Sequence, residues 1–169
     1  MAAMKRKLNL GCGIDIRPDY LNVDINKGKG VDKTFNFDKI PYPLPDNQFD
    51  EVYVDNVLEH LTDLPAVINE LHRICRNKAI IIIKVPYYNC KGAYDDPTHQ
   101  HYFNRDTLAI LAGEQDRPNL RVQQFKVVRI RLIPTILGRL FIFPKLIHTM
   151  SLIFGEVVSE VHATIQVTK

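Results

Sequence analysis

The sequence predicts an α/β protein with three layers, and three observations carry that expectation. A short apolar run, Leu8–Leu10, passes directly into Gly11-Cys-Gly13, where two residues without a Cβ let the backbone turn tightly. The run Ala79-Ile-Ile-Ile-Ile83 is apolar on both faces, as a strand buried in a parallel sheet is. Between such strands lies Thr62–Arg76, whose Leu64, Val67, Ile68, Leu71, Ile74 and Cys75 recur at helical spacing. Strands alternating with helices place helices on the faces of a mostly parallel sheet.

In chain order, strands are expected at Leu8–Leu10, Leu21–Ile25, Lys33–Phe37, Phe49–Val54 and Ala79–Val85. Thr62 is the expected N-cap of the helix, with Pro65 in its first turn and Arg73 and Arg76 near its C-terminal end. Pro86–Asn104 is polar, aromatic and irregular; a second helix is expected over Asp106–Ala112, closed by Gly113. Phe125–Ile133 and Val161–Val167 complete the strands. No repeat or linker divides the 169 residues, so one domain is expected.

Composition narrows the function. With 46% apolar and 24% charged residues the chain is of soluble globular type. A net charge of +3, with no long basic run interleaved with aromatics, argues against a nucleic-acid partner. Three cysteines, Cys12, Cys75 and Cys90, form no Cys-x-x-Cys pair and fit a reducing compartment. Met1–Lys7 leads into a strand without a signal-peptide pattern, so a cytoplasmic setting is expected.

The glycine run has a partner in Asp24, which ends the second strand. An acid in that place accepts paired hydrogen bonds from a ribose diol, so the two features together point to an adenosine-containing ligand across the strand ends. The connection Ile14–Tyr20 is too short for the helix that normally joins parallel neighbours, and Pro18 lies within it. Position 16 holds Ile16 where a third glycine would pack such a helix, so a pyrophosphate cofactor is disfavoured and a ligand without phosphates favoured.

Leu8-Asn-Leu-Gly-Cys-Gly13, Asn22-Val-Asp-Ile25, Phe37-Asp38, Leu44-Pro-Asp-Asn-Gln-Phe-Asp50 and Asn56-Val-Leu-Glu-His-Leu61 resemble, in this order, the motifs of class I S-adenosylmethionine-dependent methyltransferases, closest to the small type-11-like group. Asp96-Pro-Thr-His99, Phe103 and Asp106-Thr-Leu108 resemble a later segment of that group. The resemblance covers about the first two-thirds of the chain. It implies a Rossmann-like seven-stranded sheet, mostly parallel with an antiparallel last strand, over residues 1–169 as one methyltransferase domain with an apolar insertion at about 134–155. It implies S-adenosyl-L-methionine as cofactor, with Leu10, Gly11, Cys12 and Gly13 beside its methionine part and Asp24 on the ribose hydroxyls. Ile25 and Phe37 then lie near the adenine, Asp38 on its amine, and Asn56 on the methyl-donor cavity. The chain departs from the usual family in lacking an upstream helix and the helix after the glycine loop.

Several residues admit two readings. Asp38 competes with Asn36 for the adenine, and Lys39 offers it an ordinary ion pair. Glu59 and His60 suit the start of a helix; His60 is also a candidate acceptor base, as are His99 and His101. His99-Gln-His101 invites a metal reading with Asp95, Asp96 and His60, but no His-x-x-x-His helix or cysteine pair accompanies it, and no metal is expected. Tyr87 and Tyr88 are candidates for an acceptor pocket. Leu132–Phe154 is strongly apolar, yet Gly138, Arg139, Pro144, Lys145 and His148 interrupt it, so no transmembrane span is expected. Core, homodimer or membrane-surface contact, and a lid over the acceptor site remain as its roles. The function expected is methyl transfer to an acceptor that the residues do not identify, with analogy to the family pointing to a small molecule or a saccharide or lipid precursor. The alternative is a non-catalytic protein of the same fold that binds a nucleoside ligand or a protein partner.

Overall fold

A computed structural model of the protein describes residues 5–114, 117, 120–140 and 144–169. In chain order the elements are β1 (Lys7–Leu10), β2 (Leu21–Asp24), β3 (Lys33–Thr34), β4 (Phe49–Asp55), α1 (Leu64–Ile74), β5 (Cys75–Pro86), α2 (Arg105–Leu111), β6 (Phe125–Pro134), α3 (Pro144–Ile153) and β7 (Val158–Val167). Among the described residues the strands form one sheet of order β3-β2-β1-β4-β5-β7-β6. The first five are mutually parallel, and β7 runs antiparallel to both β5 and β6. The seven-stranded α/β sheet with an antiparallel last strand is therefore as expected.

The local differences have physical causes. Asp63 caps α1, accepting a bond from the Ala66 N–H at 3.0 Å, one residue later than the expected Thr62. The helix stops at Ile74 because Cys75 turns extended and opens β5 directly. The third strand has two residues, not five: the Asn36 side chain closes a turn on the Asp38 N–H at 2.8 Å and ends the extended run. Asn104 caps α2 through the Thr107 N–H.

The two faces of the sheet differ. Leu8, Leu10, Val23, Val52, Val54, Ile81, Ile83, Ala163 and Ile165 point to one face and form the core with the buried stripes of α1 and α2. The register Asn22–Asn9–Tyr53–Ile82–Thr164 defines the other face. Ile80 and Ile82 are only half-buried there, against the expectation that Ala79–Ile83 is covered on both sides. Lys84, Asp55 and Tyr53 form a polar group on it: the Tyr53 hydroxyl donates to Asp55 at 2.7 Å and Lys84 reaches the same carboxylate at 3.1 Å.

The short β1–β2 connection is accommodated by two buried asparagines. Asn9 donates to Asn22 Oδ1 at 3.1 Å and to the Asp15 carbonyl at 2.7 Å. Asn22 accepts from the Arg17 N–H and donates to the Arg17 and Tyr20 carbonyls. These bonds fold the connection back over the sheet and lay the Arg17 guanidinium 3.4 Å from the Tyr53 ring centre. A loop thus covers the ground that a crossover helix usually covers.

The apolar segment divides. Ile147 and Met150 pack on the core and Ser151 is buried, while Ile136, Leu137, Leu152, Ile153 and Phe154 are exposed. No helix among the described residues is long and apolar enough to cross a membrane.

Candidate functional site

The strand order reverses between β1 and β4, and ligands of open α/β sheets bind beyond the carboxyl ends of strands at such a point. Gly11–Gly13 follows β1, Asp24 ends β2, and Asn56 follows β4, so the candidate residues gather there. Gly11 has φ +71° and no room for a Cβ, which would overlap Cγ2 of Val57. Its glycine character therefore serves packing between the two loops. Gly13, at φ +48°, is different: a Cβ there would meet nothing within 4 Å. The backbone at Gly13 borders open space that a ligand can enter.

The hydrogen bonds of this loop decide what kind of ligand suits it. The Gly11 and Cys12 N–H groups both donate to the Val23 carbonyl, at 2.8 and 2.9 Å. The Gly13 N–H donates to Asp24 Oδ2 at 2.8 Å. With all three donors engaged, no phosphate-binding nest remains. Asp24 also accepts from Asn26 through Oδ1 at 2.9 Å. A carboxylate has about four lone-pair sites, so each oxygen of Asp24 keeps one for a hydroxyl pair. Ile14 is fully exposed and Ile25 half-exposed at 55%, an apolar pair beside the glycine loop and Asp24. These residues fit a ligand with a ribose diol, an apolar ring and no phosphate, which describes S-adenosyl-L-methionine.

Leu10, Cys12, Phe37 and Asp38 are also expected at the cofactor, Cys12 through its main chain. Leu10 is wholly buried, leaving only its backbone near the loop. The Cys12 side chain is buried and burial raises its thiol pKa. Phe37 belongs to the core, edge-on to Phe35 at 5.4 Å. Asp38 is exposed and its Oδ1 accepts from the Thr62 N–H at 2.8 Å, tying the third strand's exit to the approach to α1.

Asn56, held at φ +52°, opens a cavity of about 690 Å³ whose lining includes Glu59, His60, Asp96, His99 and Glu160. His60 and His99 come from segments far apart in sequence, yet their ring centres are 4.7 Å apart. His101 does not line the cavity. It stands apart from this pair, its Nε2 buried without a partner, although its N–H bonds the Glu59 carbonyl. Tyr87 is a core residue bonded to Ser151, and neither it nor Tyr88 lines the cavity. A second cavity, of about 890 Å³, lies among Arg105, Arg129, Arg131, Leu132, Ile147 and His148, away from the glycine loop.

The sequence assigns Glu59 only to a helix start, and its place in the fold is different. It sits on a single 3₁₀ turn, Leu58–His60, is 1% exposed, and neither carboxylate oxygen has a partner. Burial pushes its pKa up to about 7, with the nearby His99 opposing the rise. Burial likewise lowers that of His60, with His99 adding to the effect, so its imidazole is neutral near pH 7. The one signal in the sequence was an ionisable pair set in the otherwise apolar run Val57–Leu61.

Residues 1–83 match the family described as a methyltransferase domain. An uncharacterized protein of Methanocaldococcus jannaschii, MJ0638, is 34% identical over 89 residues, which cover 46% of this chain and 39% of that protein. The chain therefore spans well under half the length of this curated relative. Among solved structures, a SAM-dependent methyltransferase from Archaeoglobus fulgidus superposes with a TM-score of 0.64 at 17% identity, covering 97% of this chain and 86% of that one. The [4+2]-cyclase SpnF superposes with a TM-score of 0.62 at 14% identity, covering 96% and 74%. The solved structures establish the fold, and the domain match supports S-adenosyl-L-methionine as the cofactor.

Proposed function

We propose that this chain is a class I S-adenosylmethionine-dependent methyltransferase, a reading supported by its fold and by the domain matched over residues 1–83, and that it methylates a small hydroxyl-bearing molecule, of the saccharide or lipid-precursor class, held in the cavity beyond β4. The observation that carries this reading is the convergence of Asn56, Glu59, His60 and His99 on one cavity beside the glycine loop. A volume of about 690 Å³ suits a small molecule. The lining includes the carboxyl groups of Glu59, Asp95, Asp96, Glu156 and Glu160, which disfavour anionic acceptors and accept hydrogen bonds from hydroxyls.

The cofactor supplies an activated sulfonium methyl donor when bound. Asp24 would hold its ribose hydroxyls, Gly13 would leave room for its backbone-like part, and Ile14 and Ile25 would flank its apolar ring. The protein's own contribution is placement. Val57 packs the β4 loop against Gly11, so the glycine loop and the cavity beyond β4 sit on adjoining loops, and that placement would bring donor and acceptor together. In the metal-free protein, Glu59, His60 and His99 are the groups available to take the acceptor's proton, since Glu59 titrates near neutrality and His60 is uncharged there.

Calorimetry tests the reading. S-adenosylmethionine and its demethylated product should bind, and Asp24→Ala should lose two charge-assisted bonds of about 1.5–3 kcal/mol each, roughly a hundredfold or more in affinity. Tight binding of a dinucleotide in their place would overturn the assignment. Mass spectrometry of acceptor panels then reports the methylated product. The exposed apolar residues Ile136, Leu137, Leu152, Ile153 and Phe154 favour a second role as a contact surface for another copy of the chain or a membrane surface. Cofactor binding without methyl consumption on any acceptor would favour the non-catalytic reading.

A further inference from the structure

We propose that Glu59, His60 and His99 form a binding site for one first-row divalent cation of the zinc type, on the wall of the cavity beyond β4. Donor atoms of the three residues, one from each, lie within 4.8 Å of one another. A cation with bonds of about 2.1 Å in tetrahedral arrangement sets its ligands roughly 3.4 Å apart, so the donors must draw together on binding, and the unpartnered Glu59 carboxylate breaks no hydrogen bond in doing so.

Two independent features distinguish this group from a chance cluster. The first is Glu59 itself. A carboxylate that is 1% exposed and has both oxygens unpartnered is rare, because buried polar groups are almost always satisfied. It lines the cavity and stands beside two imidazoles, so a cation there would satisfy it.

The second feature is the way both rings are held. The His99 Nδ1 lies 3.0 Å from the Ala93 carbonyl, which can only accept, so Nδ1 carries the proton. The Thr98 hydroxyl donates to Asp96 Oδ1 at 2.6 Å, so it can only accept from His60 Nδ1, 2.8 Å away. Each ring is thereby fixed with its proton on Nδ1 and a lone pair on Nε2. That is how metal-binding histidines are oriented by the residues behind them, a carbonyl for one and a threonine–aspartate relay for the other.

Two imidazoles and one carboxylate are a donor set for zinc and its first-row neighbours, whereas magnesium and calcium prefer all-oxygen sites. Three protein ligands also leave a coordination position open toward the cavity. No spacing motif shows this site, since His99 reaches Glu59 and His60 only through the fold.

The test uses the full chain with cobalt(II) as a visible probe and neither cofactor nor acceptor present, so its outcome is independent of methyl transfer. One cobalt ion per chain should bind with d–d absorption bands of a four- or five-coordinate site, and zinc should displace it. Glu59→Gln and His99→Ala should each remove the bands, Thr98→Val should weaken binding roughly 10–100-fold, and His162→Ala should leave it unchanged. In the unsubstituted protein, zinc should shift the imidazole nitrogen resonances of His60 and His99, which needs no variant to fold. Absence of bands with the wild-type chain, or bands that persist in both Glu59→Gln and His99→Ala, would overturn the site.

Discussion

Gly11 permits a sharp test of how the two ligand loops are held together. In Gly11→Ala the new methyl overlaps Cγ2 of Val57, a residue only 6% exposed on the neighbouring loop. The backbone at φ +71° adds about 1–2 kcal/mol for any residue with a Cβ, and overpacking typically adds about 1–3 kcal/mol. Loss of unfolded-state freedom returns about 0.4–1 kcal/mol, leaving a destabilisation of about 1–4.6 kcal/mol, at its upper end a large part of a typical domain's stability. Gly13→Ala, at φ +48° with no atom within 4 Å, should carry only the conformational cost, about 1–2 kcal/mol. Val57→Ala alone should cost about 2 kcal/mol for lost burial. The double variant Gly11→Ala/Val57→Ala removes the overlap, so it should be more stable than additivity predicts by about 1–3 kcal/mol. Urea denaturation followed by circular dichroism measures all four proteins. Additivity within about 0.5 kcal/mol would refute the claim that Gly11 is required by Val57.

Two further expectations concern buried carboxyls. In metal-free protein the pKa of Glu59 is raised by burial from 4.5 to about 7. The folded state therefore favours its protonated form, and that stability is fully present below about pH 4.5 and lost as pH rises through 7, roughly 3 kcal/mol in all. Glu59→Gln should abolish this decline in pH-dependent urea denaturation; comparing the two profiles separates Glu59 from His60, whose lowered pKa acts in the opposite sense, and identical profiles would exclude the assignment. Glu70 is 4% exposed and accepts from Arg73 at 2.6 and 2.9 Å and from the Tyr42 N–H at 2.6 Å. Arg73→Ala strands that charge and should cost about 3–5 kcal/mol, with Arg73→Lys recovering only part because it cannot make the paired contact; a loss under 1 kcal/mol in the same assay would show the pair to be solvated.

The sheet was legible because its signals are local. Apolar runs ending in glycine, aspartate or proline mark most of the strands whatever their neighbours do, and the stripe Leu64–Ile74 marks its helix by period alone. Boundaries were less legible where two caps compete: Thr62 and Asp63 are equivalent in type, and only the chain's path makes Asp63 face the Ala66 N–H. Asp24 and the glycines could be placed because strand ends bring them together. The cavity could not be read in the same way. Glu59 looks like a helix-start acid in sequence, and becomes an orphan only because residues 98–101 fold over it and bond its backbone carbonyl rather than its side chain. The half-buried face of Ile80 and Ile82 was likewise invisible, since an apolar run does not show which of its faces the rest of the chain covers.

The omitted helix and the absence of phosphate preference are one fact seen twice. A helix after the glycine loop would present free N–H groups at its first turn and a positive dipole end, the two features that bind phosphate. Here the loop turns back under the control of Asn9 and Asn22, and its N–H groups are drawn to the Val23 carbonyl and to Asp24. The same geometry that lets Ile14–Tyr20 join parallel strands without a helix therefore removes the donors a pyrophosphate needs. What remains at the surface is a carboxylate, a bare glycine and two exposed isoleucines, a set whose chemistry suits a sugar diol and an apolar ring better than a phosphate.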